Sequence, residues 1–134
     1  MTSFDHQSLG LVKDKPLIYT AMSKHYFYYR MFISKFVLES GGVPLNPFMN
    51  FDYFLLDTVD RNLVREANNN LVKKADQLWV FGPVSNGVLA EIKIAQENNK
   101  PIEYFKIVKP HEILKIAKDE VELEEDVREF KKDL

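Results

Sequence analysis

The feature that most constrains this chain is a series of short, unbroken apolar runs, each bounded by turn formers and separated by helical stretches. Leu78-Trp79-Val80-Phe81, closed by Gly82-Pro83, is the clearest of them. Apolar side chains in succession leave a strand no wet face, so it must be covered on both sides. Pro16-Leu17-Ile18-Tyr19-Thr20-Ala21 reads the same way after its proline. Val43-Pro44-Leu45 is a very short case that exits through the turn signal Asn46-Pro47, and residues 101–108 make a fourth strand. Helical patterns fill the intervals. Residues 23–40 carry Tyr29, Phe32, Ile33, Phe36 and Val37 at helical spacing and stop at Gly41-Gly42. Residues 60–74 put Leu63, Ala67 and Leu71 on one stripe, and a third helix spans about 87–98. Strands alternating with helices predict an α/β domain with a mostly parallel sheet of four to five strands, covered on both faces.

Residues 1–14 read as a polar leader and residues 15–109 as the domain. Residues 48–58 are apolar but irregular, a short helix or a lid. Residues 110–134 read as a helical segment in one or two pieces. Its Val121, Leu123, Val127, Phe130 and Leu134 are placed to dock on the body or on a neighbour. The aromatic set from Tyr26 to Phe36, with Trp79, is expected in the core, and Asp76 at a strand entrance reads as structural.

A chain of 134 residues fits one domain that folds without disulfide or metal. It has no cysteine, which excludes thiol catalysis and cysteine-ligated zinc and suits a reducing compartment. A net charge of −2 supplies no basic field for nucleic acid. The N-terminus lacks a basic, then apolar, signal pattern, and no apolar stretch is long enough to span a bilayer. A cytoplasmic protein without metal or cofactor is expected.

In a parallel sheet, ligands bind beyond the carboxyl ends of the strands. The loop after the third major strand is the most informative there: Phe81-Gly82-Pro83-Val84-Ser85-Asn86-Gly87-Val88-Leu89-Ala90-Glu91. Ser85 and Asn86 are good helix caps, and the amides they precede form an anion site. On that helix Glu91 lies roughly 60° from Val88, on the flank of the apolar stripe. Helical side chains lean toward the N-terminus, so its carboxylate rises into the space Gly87 leaves empty. Five or six residues past the cap, it is too far along for a capping box, which leaves an ordinary solvated helix glutamate as the alternative to a cleft carboxylate.

Tyr19 after a buried strand, Ala75-Asp76 before Val80, Ser85, Gly87, Glu91-Ile92 and Ala95 in order, then Lys100-Pro101, resemble the nucleoside 2-deoxyribosyltransferase superfamily, which includes deoxynucleoside 5′-monophosphate N-glycosidases. The resemblance covers residues 16–107. It implies a Rossmann-like or flavodoxin-like three-layer sandwich and cleavage of a nucleoside or nucleotide N-glycosidic bond, or deoxyribosyl transfer. It also implies a homodimer or higher even oligomer, with a neighbouring subunit completing the site. Glu91 falls on the nucleophile that attacks C1′, and Tyr19 on the tyrosine that orients it. Ser85 falls where nucleotide-cleaving relatives contact the 5′-phosphate. With Asn86 and Gly87, and with Ser23, Lys24 and His25 of the first loop, it forms the expected phosphate-binding set.

Two positions depart from that pattern. Asn68 stands where the family carries an aspartate near the leaving base, and an amide cannot act as a general acid. Met22-Ser23-Lys24-His25 has no glycine where relatives wrap a phosphate, leaving Lys24 and His25 to supply charge. Tyr26, Phe48 and Phe51 are the candidates to stack on a base. Two alternatives stand beside the leading one: a nucleotide-binding or sensing module without turnover, which Asn68 favours, and a glycosidase for another nucleotide.

Overall fold

In a computed structural model, which describes residues 3–51 and 57–134, the chain is an α/β protein built on one five-stranded sheet. Strands β1 (Leu17–Met22), β2 (Val43–Leu45), β3 (Gln77–Phe81), β4 (Ile102–Lys109) and β5 (Glu112–Ile116) stand in the order β2-β1-β3-β4-β5. The first four run parallel, and β5 returns antiparallel to β4. The α-helices whose bounds lie within the described residues are α1 (Arg30–Glu39), α2 (Pro47–Asn50), α3 (Arg61–Lys74) and α4 (Asn86–Glu97).

The unbroken apolar runs have a direct explanation, because successive residues belong to two different cores. Tyr19, Leu78, Val80 and Tyr104 pack with Val72 of α3 and with Val88, Ile92 and Ala95 of α4. Ile18, Trp79, Phe81 and Phe105 pack on the opposite face with Ile33 and Val37 of α1. Phe81 stacks on Phe105 at 5.0 Å between centroids, and Phe36 of α1 meets both edge-on. Gly41 ends α1 at φ 91°, a left-handed conformation that favours glycine. A Cβ at Gly42 would press on Ile18 of β1 and Val37 of α1, so the close approach of the two elements there favours glycine.

Asp76 has the structural role its position suggests. Its carboxylate accepts from the Leu17 amide at 2.7 Å, and its own amide donates to the Leu17 carbonyl, tying β1 to β3 at the strand entrance.

Several expectations are corrected. The first turns after β1 are 3-10, over Lys24–Tyr29, and the α-helix begins only at Arg30. Of the four aromatics at residues 26–29, Phe27 and Tyr28 are exposed, Tyr28 at 84%, and leave the core, whereas Tyr26 and Tyr29 pack partly buried against the second core. On α3 the inward stripe is rotated from the expected one. Leu63 is exposed, and the inward side runs through Val64, Ala67, Asn68, Leu71 and Val72. Of the irregular 48–58 stretch, α2 forms one turn, and residues 52–56 lie outside the described residues.

The largest correction is the tail, which was expected to be helical. Residues 112–116 form β5, because β4 would otherwise be an open edge and Ile113 and Ile116 each reach one of the two cores. Val121 and Leu123 are then buried in extended chain. The Val84 amide donates to the Glu122 carbonyl and the Glu124 amide to the Val84 carbonyl, both at 2.8 Å. A 3-10 helix, Glu125–Asp133, seats Val127 and Leu134 in the core that also holds α4. The tail therefore docks on its own chain, and Phe130 stays outside at 39% exposure.

Candidate active site

The chain steps from β1 to β2 on one side and reaches β3 on the other, so strand order reverses between β1 and β3. A cleft of about 580 Å³ opens beyond the carboxyl ends there, where such sheets place ligands. It is lined by the loop after β1, by α2, by one side of α3 and by the first turns of α4. Among its lining residues are Glu91, Asn68, Ser85, Asn86, Gly87, Ser23 and Lys24.

At the floor of the cleft three side chains meet. The Tyr19 hydroxyl, fully buried in β1, donates to Glu91 Oε2. Asn68 Nδ2 donates to the same oxygen at 2.9 Å, and Asn68 Oδ1 lies 2.8 Å from the Tyr19 hydroxyl. Among the described residues Glu91 Oε1 takes no hydrogen bond, and the side chain lines the cleft. Burial drives the Glu91 carboxyl up to about 7, against the two hydrogen bonds, which favour the ionised form. Burial and the neighbouring Glu91 raise the Tyr19 hydroxyl well above its ordinary value, so Tyr19 is a neutral donor. The Tyr19 proton can satisfy only one of its two acceptors. With a proton on Glu91 Oε2, a closed ring forms in which Glu91 donates to Tyr19, Tyr19 to Asn68 and Asn68 to Glu91. With Glu91 ionised, both Tyr19 and Asn68 donate to one carboxylate oxygen and leave the other free.

At the opening of α4 the Ser85 side chain caps the helix, accepting from the Val88 amide at 3.3 Å. A Cβ at Gly87 would meet nothing within 4 Å, so the cleft is open above Glu91 as the lean of its side chain requires.

The loop after β1 divides. Lys24 lines the cleft. Ser23 lines it too, but its hydroxyl donates to Glu124 Oε2 at 2.7 Å, and His25 Nδ1 lies 3.2 Å from the same oxygen. The tail's carboxylate thus takes the contacts that the sequence assigned to a phosphate at Ser23 and His25, and His25 does not line the cleft. Burial works against the charge, yet Ser23, His25 and Lys24 together hold the Glu124 carboxyl below its ordinary range. Of the stacking candidates Phe48 and Phe51 line the cleft, whereas Tyr26 lies against Gly82.

Sequence reasoning missed Arg65, Asn69 and Glu124. Arg65 and Asn69 line the cleft one turn apart on α3, in an i, i+4 relation flanking Asn68. That spacing was legible once Asn68 was set on the inward side. Nothing local marks Glu124, whose partners are about a hundred residues away.

Fold and cleft define an α/β protein with a carboxylate–tyrosine–amide site at the point where its strand order reverses. The chain belongs to the family described as Domain of unknown function (DUF7768), which matches residues 19–105. The match runs from Tyr19 to the middle of β4 and holds all three residues of that site. No curated protein matches the chain.

Proposed function

We propose that this protein cleaves or transfers at the N-glycosidic bond of a nucleoside or nucleotide, with Glu91 as nucleophile. The observation that supports it is the asymmetry of Glu91: Oε2 is held by Tyr19 and Asn68, while Oε1 takes no hydrogen bond from any described residue, on a side chain that lines an open cleft. Glycosidic cleavage passes through an oxocarbenium-like state that a carboxylate can trap, as in retaining glycosidases. Oε1 would bond C1′ as the C1′–N bond breaks, and water or a second base would then take the sugar. Phe48 and Phe51 offer faces for the base. The strand order fits a Rossmann-like or flavodoxin-like three-layer sandwich, and we place the protein in the cytoplasm.

The start of α4, Ser85 and Lys24 favour a 5′-monophosphate over a nucleoside, since helix amides and a cation attract a dianion. One observation favours a second reading, a binding or sensing module without turnover. Residue 68 is an amide bonded to Glu91, so it brings no acid to a leaving base. The deciding experiment is incubation with paired nucleosides and 5′-nucleotides, following free base by chromatography, with calorimetry on the same pairs. Base release that Glu91→Gln abolishes without loss of fold is the expected result. Tight binding without release selects the sensing module, and tighter binding of nucleosides removes the phosphate assignment.

A further inference from the structure

The cleft has a direction set by the sheet. Helix α4 begins beyond β3, α2 begins beyond β2, and β1 with Tyr19 lies between them. The α4 end carries Ser85, Asn86 and Gly87. The far end, across Glu91, carries Pro47, Phe48 and Phe51 with Val64, Arg65 and Asn69 of α3. A nucleotide laid with its phosphate at α4 and its C1′ at Glu91 puts its base against that far wall. Among the described lining residues the cations are Lys24 and Arg65, and only Arg65 stands at the base end. Among the described residues its guanidinium gives one hydrogen bond, from Nη1 to Asn62 Oδ1 at 3.0 Å, of the five it can donate. It sits one turn from Asn68 on the same side of α3, beside the place where an acid is missing.

Resting on the glycosidic reading above, we propose that Arg65 reads the base in this cleft and selects 6-oxopurines, its guanidinium pairing with O6 and N7. An arginine fork pairs in plane with two adjacent acceptors. Guanine and hypoxanthine present O6 and N7 side by side. Adenine presents an amino donor beside N7, and cytosine an amino group, both of which meet an arginine donor to donor. The same contact replaces the absent acid. When Glu91 Oε1 bonds C1′ and the C1′–N9 bond breaks, the electron pair stays on the base, which leaves as an anion. In a 6-oxopurine that charge spreads toward N7 and O6, where Arg65 stabilises it electrostatically. Water protonates the freed base. A second water hydrolyses the glycosyl ester, and Glu91 returns to its carboxylate with release of one proton, which neutralises the hydroxide left when water protonated the base.

The test compares wild type, Arg65→Met and Arg65→Lys on deoxyguanosine, deoxyinosine, deoxyadenosine and deoxycytidine 5′-monophosphates, with 7-methyldeoxyguanosine 5′-monophosphate as control. Wild type should prefer the first two substrates in kcat/KM. Arg65→Met should lower those two by about tenfold to a hundredfold, the worth of a bidentate base contact, and leave adenine and cytosine release almost unchanged. Arg65→Lys should recover only part of the loss. The 7-methylated substrate leaves as a neutral base with N7 blocked, so Arg65→Met should not slow it. An equal loss on every substrate, or none on the 6-oxopurines, overturns the proposal. Arg65 is exposed, so the variants should fold, and thermal melting checks this. If no substrate releases base, calorimetry decides. A 6-oxopurine preference that Arg65→Met removes keeps the base assignment while the glycosidic reading falls, and absence of any preference overturns the base assignment itself.

Discussion

Asn68 is where a single atom decides the chemistry of the site. Its Nδ2 donates to Glu91, so an aspartate there would set two carboxyl groups at about the 2.9 Å this contact spans. Like charges that close share one proton, and the second ionisation is pushed up. If the reaction needs ionised Glu91, the rate should rise with pH through about 7 in wild type. In Asn68→Asp that rising limb should move up by roughly one unit or more, read from the pH profile of kcat/KM. Faster base release at neutral pH in this variant would show instead that residue 68 faces the leaving base. A second expectation concerns stability. The native state keeps the Glu91 proton up to about 7, whereas the unfolded chain loses it near 4.5. Between those values the native state binds more protons, so stability falls as pH rises through that window. Glu91→Gln should therefore melt higher than wild type at pH 8, with the gain shrinking toward pH 4.5. A difference independent of pH would mean that Glu91 is not buried at a cost.

At the scale of elements, the tail braces the ligand edge. Residues 122–124 join the loop after β3 through Val84 and the loop after β1 through Ser23 and His25. Glu124→Gln should cost about 1 kcal/mol, or roughly 3 °C in melting temperature at pH 7. Because the folded carboxyl is held below its ordinary range, this contribution is present at neutral pH and is lost as pH falls through the lowered value. Equal melting of the two proteins at pH 7 would remove the bracing role. How far the elements were legible follows the range of the forces that form them. Strands β1, β3 and β4 announce themselves because each buries both faces, which local composition records. The start of α4 is legible from Ser85 and Gly87, and so was the placement of Glu91. Strand β5 is not, since Glu112 to Ile116 includes good helix formers and becomes a strand only by pairing with β4. The inward side of α3 was misread because a polar residue, Asn68, occupies it for the sake of Tyr19 and Glu91.

For the whole molecule, the assembly prediction stands on a different surface from the one the sequence suggested. Val121, Leu123, Val127 and Leu134 are spent on the chain's own core. Exposed apolar groups gather instead around the cleft rim and α1, where Phe27 meets Phe48, Met49 accepts from Ser34, and Tyr28 and Met31 face outward. A homodimer or higher even oligomer is expected through that side, and light scattering at micromolar concentration checks it; a monomer would refute it. No helix among the described residues is long and apolar enough to cross a membrane. The bracing contacts of the tail also carry a kinetic consequence. The hydrogen bond from Ser23 to Glu124 closes a loop of 101 residues, whereas β4 and β5 join through a tight reversal. Long closures are entropically slow and gain nothing until the intervening chain is in place. The sheet should therefore order first and the ligand edge last, so pulse-labelled hydrogen exchange during refolding should protect the β4–β5 amides before those of Val84 and Glu124.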